Sequence, residues 1–191
     1  MSLSVARRHT AAARFASGLI GILLLWLSGC TPAHDWRELS AANGAIRVAF
    51  PAKPTSETRP LPVGERILPF TLMAAEADGA VFAVGHLDVP ALEDGPSSDE
   101  IGAALADSLV RLFPDEHVRQ EPVVIRHSRA GRSSLPGLEL QAENPDDPAA
   151  PRLLARVFRQ DGRWIQIVAL GTPQHLPWDA ARWFVESARL L

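Results

Sequence analysis

The sequence predicts an α+β fold, a mainly antiparallel twisted sheet with helices packed on it. Three observations predict it. Apolar runs of strand length recur along the chain, and two pairs of them are closed by Asp-Gly. Two stretches carry helical spacing, and no strand–helix–strand rhythm appears that would call for parallel strands.

The elements follow in order. Ala45–Phe50 alternates around Arg47 and is closed by Pro51-Ala52-Lys53-Pro54. Pro51, Pro54, Pro60 and Pro62 leave residues 52–64 open between a strand and an irregular arm. Arg66–Glu76 and Ala80–Val89 read as strands joined at Asp78-Gly79, where both turn positions tolerate positive φ. Ser97 and Glu100 stand at capping-box spacing, and Ile101, Leu105, Leu109 and Leu112 then share a helical stripe that Pro114 closes. His117–Arg129 and Leu138–Glu143 read as strands separated by a turn near Gly131, and Asn144–Pro151 as a loop. Leu153–Gln160 and Arg163–Leu170 form the clearest hairpin, around Asp161-Gly162. A last helix starts near Pro177 and runs to about Ala188, with Ala181, Phe184 and Ala188 on one face and Trp183 beside them.

Ahead of this lies a different kind of segment. Arg7, Arg8, His9 and Arg14 precede an apolar run, Phe15–Leu27, too short for the roughly 20 residues that span a bilayer. The order basic, apolar, small is that of an export signal. The run ends in Leu27-Ser28-Gly29-Cys30, which resembles the lipobox of bacterial lipoproteins at all four positions. The resemblance implies cleavage before Cys30 and acyl chains on that residue. Two or three chains are needed for stable anchoring. Thr31, where an aspartate would hold the protein in the inner membrane, implies the periplasmic side of the outer membrane. An ordinary signal peptide and an uncleaved anchor are the alternatives.

Three segments are therefore expected: a leader over 1–29, an acylated tether over 30–35, and one domain over 36–191. Without Arg7, Arg8 and Arg14, the 19 basic residues become 16 against 22 acidic, a formal charge of −6. So acidic a chain is a poor partner for nucleic acid. Cys30 is the only cysteine, so no internal disulfide forms.

The domain also looks like a group of small bacterial envelope proteins. The marks are Arg47-Val48-Ala49-Phe50-Pro51-Ala52-Lys53-Pro54, the Arg156–Val168 hairpin, and the final Trp183-Phe184-Val185-Glu186-Ser187-Ala188-Arg189-Leu190. The order of elements is similar to the PsbP-like α/β/α sandwich. That fold mostly serves binding or assembly, which the resemblance carries over as a bias against catalysis.

Signals for chemistry are sparse, and neither a metal nor an organic cofactor is expected. Gly131-Arg132-Ser133-Ser134-Leu135 fails the nucleophile-elbow pattern at Leu135. His86 and Asp88, two apart on a strand, are the best metal-like pair, but a third ligand cannot be named. His117, His127 and His175 have no carboxylate at telling spacing, and Asp146-Asp147 reads as a solvated loop tip. Trp164 and Trp183 read as core, whereas Trp36 and Trp178 lie near segment ends and are candidates for the rim of a groove. Three functions compete: a non-catalytic module binding an envelope protein or small ligand, an envelope hydrolase with an acid/base pair among Glu76, Asp88 and Glu143, and a structural role in maintaining the outer membrane.

Overall fold

A computed structural model describes residues 36–89, 96–129, 131 and 133–191. The signal segment, the lipobox Leu27-Ser28-Gly29-Cys30 and the tether 30–35 lie outside them. Among the described residues, ten strands and two helices follow in order: β1 Arg37–Ala41, β2 Ile46–Phe50, β3 Thr55–Val63, β4 Arg66–Ala77, β5 Ala80–Asp88, α1 Ser98–Val110, β6 Val118–Ile125, β7 Leu135–Glu143, β8 Arg152–Gln160, β9 Arg163–Gly171, α2 Trp178–Ser187 and β10 Arg189–Leu190. Seven strands form one antiparallel sheet in the order β3-β4-β5-β9-β8-β7-β6. A smaller antiparallel sheet, β1-β2-β10, has its own hydrogen-bond ladder.

The Asp-Gly turns form as local chemistry dictates. Asp78 and Gly79 have φ of 50° and 78°, and Asp161 and Gly162 have 49° and 77°. Positive φ at both central positions gives the turn the twist of the strands it joins. The stretch left open by its prolines is a strand. β3 pairs with β4 through nine residues, and Pro60 faces Pro69. Two residues without N–H groups can oppose each other only at a non-hydrogen-bonded pair, and Pro62, two further on, falls in the same class. At the sheet edge those prolines cost no ladder bond.

The large sheet is covered on both faces. On one, alternate residues Phe82 and Val84 of β5, Ile165 and Ile167 of β9, and Leu154 and Phe158 of β8 meet the small sheet and α2. Phe184 packs edge-on against Phe50 and Phe82, with ring centroids 5.4 and 5.2 Å apart. On the other face Leu87, Leu140, Leu153, Ala155 and Val157 meet Ile101 and Leu105 of α1. The capping box opens α1: Ser97 N–H donates to Glu100 Oε2 at 2.6 Å, and Glu100 N–H to Ser97 Oγ at 3.2 Å. The helix ends at Val110, so the expected stripe residue Leu112 lies beyond it and is exposed.

Two further expectations change. Trp183 is 58% exposed rather than core, because α2 turns Ala181, Phe184 and Val185 inward and position 183 away. The strand expected over His117–Arg129 stops at Ile125. His117 ends a short 3-10 turn, and the chain after Ile125 bends to place His127 beside Leu190 of β10.

Candidate functional site

Among the described residues, a cleft lies beside each helix. Along α1 the small side chains of Gly102, Ala103 and Ala106 form one wall of an open groove of 610 Å³. Leu138 and Val157 lie in it, Trp164 stands at its side, and Asp99, Asp107 and Arg159 sit at the rim. Trp164 Nε1 donates to Ser98 Oγ at 3.2 Å. A Cβ on Gly102 would lie 2.6 Å from Cη2 of that indole, so the close approach of helix and ring requires glycine. Gln166 follows two residues along the same face, and its buried Oε1 has no partner among the described residues.

Beside the end of α2 lies a cleft of 530 Å³ with Val123, Ile125, Val185 and Ala188 on its walls and Arg126, Arg156, Arg189 and Glu186 around them. A half-buried charge ladder runs beneath α2. Arg156, 12% exposed, donates from Nε to Glu139 Oε2 at 2.8 Å and lies 3.7 Å from Glu186. Arg182 approaches Glu139 and Glu186 at 3.7 and 3.8 Å. Further along the strands Arg152 pairs with Glu143 and lies 4.6 Å over the Trp178 ring, whose Nε1 donates to Glu143 Oε2 at 3.2 Å. Burying a charge is costly unless it is paired, and these pairs meet that cost across neighbouring strands.

The predicted site residues are dispersed through this frame. Trp36 and Trp178, the candidate rim, are each half-buried and belong to separate constellations. Trp36 packs edge-on to Phe82 at 5.8 Å and to Trp183 at 6.4 Å, while Trp178 serves the Arg152–Glu143 pair. His86 and Asp88 do share a face, but Asp88 is held by Arg163, which also donates from Nη1 to the Ala42 carbonyl at 2.7 Å. Burial and then the Arg163 charge push the His86 pKa below 6.5, against a smaller upward pull from Asp88. Among the described residues no three His, Cys, Asp or Glu side chains are grouped to hold a metal ion.

The three candidate carboxylates stand apart. Glu76 faces the α1 side of the sheet opposite Val81, whereas Glu143 and Asp88 face the α2 side at opposite ends of the strands. Leu135 opens β7, His127 Nδ1 accepts from Arg129 N–H, and His175 Nδ1 lies 3.2 Å from Thr172 Oγ1. Asp146 and Asp147 are exposed. Sequence reasoning missed the arginine–glutamate ladder, because its partners meet only through strand register, and it missed both clefts.

The chain matches no family model and no curated protein. It is similar to a solved structure, the solution structure of cyanobacterial PsbP (CyanoP) from Synechocystis sp. PCC 6803. The likeness has a TM-score of 0.45 at 14% identity and covers 86% of this chain and 96% of that one.

Proposed function

We propose that this protein is a non-catalytic binding or assembly module of the cell envelope, held by acyl chains on Cys30 at the periplasmic side of the outer membrane. The anchor rests on the lipobox Leu27-Ser28-Gly29-Cys30 and the basic and apolar residues before it. The binding role rests on one observation above all, the groove beside α1. It is open, of ligand size, walled by Gly102, Ala103 and Ala106, and floored by strands of the large sheet. The separation of Glu76, Asp88 and Glu143 leaves a hydrolase built on them without a convergent pair.

The test is photo-cross-linking in cells, with the reactive group placed at Ala103 and, as control, at exposed Ile67. A discrete partner captured from position 103, absent from position 67 and diminished by Cys30→Ala, is the expected result. Equal capture from both positions would remove the groove from the reading. Turnover of an envelope substrate by the purified protein would replace binding with catalysis.

A further inference from the structure

In this acidic chain one small region collects arginines. β2 and β10 place Arg47 directly opposite Arg189. The parallel bridge between His127 and Leu190 sets Arg126 beside Arg189 in turn, so three arginines stand in a row across three adjacent chain segments. Like charges directly opposite one another on a sheet repel. Arg47 and Arg126 make no ion pair among the described residues, and both are exposed. Arg189 uses Nη1 on the carbonyls of Glu186 and Ala188, which caps α2 and fixes its stem. Arg126 and Arg189 line the 530 Å³ cleft, with Arg156 behind them. Among the described residues, the one carboxylate lining that cleft, Glu186, lies within ion-pair distance of Arg156 and Arg182.

We propose that Arg126, Arg189 and Arg47 form a binding site for a phosphate group, carried free or on a lipid headgroup. Guanidinium forks match phosphate oxygens two at a time, which a scattered positive surface does not do. Val123, Ile125, Val185 and Ala188 give the cleft an apolar side suited to whatever the phosphate is attached to. The site is distinct from the α1 groove and does not depend on it.

The experiment titrates the full chain, extracted in detergent, with inorganic phosphate and with dihexanoyl phosphatidic acid at constant ionic strength. Saturable binding is expected, weakened at least tenfold by Arg126→Gln and by Arg47→Gln and unchanged by Arg59→Gln on the far edge strand. Arg189→Gln also uncaps α2, so the first two variants carry the result. Tighter binding of the phosphatidic acid assigns a lipid headgroup, and equal binding a free phosphate group. Binding that fails to saturate, or that Arg126→Gln and Arg47→Gln leave intact, overturns the site.

Discussion

Asp88 is committed to Arg163, and that commitment defines what His86 is: a buried imidazole held neutral by desolvation and by a nearby guanidinium. Its folded pKa lies below the unfolded 6.5, so the unfolded chain takes up the proton first as pH falls. The stability tied to neutral His86 is full above about pH 6.5 and is lost as pH falls through the folded value. Thermal unfolding followed from pH 8 to about 5 should show the melting temperature dropping below 6.5, and His86→Gln should blunt that drop. That His86 and Asp88 share a face was legible as period-two spacing on one strand. Arg163 was not, because it arrives from β9 through register. Trp183 shows the opposite error. It reads as core from the sequence, although the helical spacing places Ala181, Phe184 and Ala188 on one face with Trp183 only beside them. The structure turns Val185 inward in its place.

Among the elements, α1 was the most legible because its start is written in side-chain chemistry. Ser97→Ala removes the acceptor for Glu100 N–H and leaves half of a reciprocal cap, at a cost of about 1 kcal/mol. Chemical denaturation should report that loss with an unchanged m-value. Its far end was less legible, since the apolar spacing runs past Val110 to Leu112 while the helix does not. The Asp-Gly hairpins were legible for a similar reason, as the turn depends on two adjacent residues. β1 and its turn were not: Ala42, Asn43 and Gly44 all take positive φ, and alanine gives no hint of that conformation. Strand β3 was left open because proline argues against a strand without saying whether that strand lies at an edge.

At the scale of the molecule, a sheet covered on both faces makes one surface of the strands the core for α1 and the other the core for α2 and the small sheet. Phe184 sits where α2, β2 and β5 meet, fully buried against Phe50 and Phe82. Phe184→Ala should cost about 3–5 kcal/mol of stability. Its neighbour Trp183 is largely exposed, and Trp183→Ser should change stability by no more than about 1 kcal/mol. A paired denaturation measurement separates them, and similar losses at both positions would contradict the packing described for α2. The antiparallel α+β class was readable from turns and periodicity. The division into two sheets, and hence the cleft beside α2, was not, because β10 is only two residues long and has no pattern of its own.

The sheet order also has a kinetic consequence. Strands β3, β4 and β5 form one hairpin series and β6 to β9 another, and each can assemble from neighbours in sequence. The two series meet only where β5 pairs with β9, bringing residue 81 against residue 170. The small sheet waits in the same way, since β2 pairs with β10 only after residues 189 and 190 arrive. Closing such long loops is the slow part of forming a sheet. In a chain made from its N-terminus, β3 to β5 can therefore pair early, but neither sheet is completed until the last strands appear.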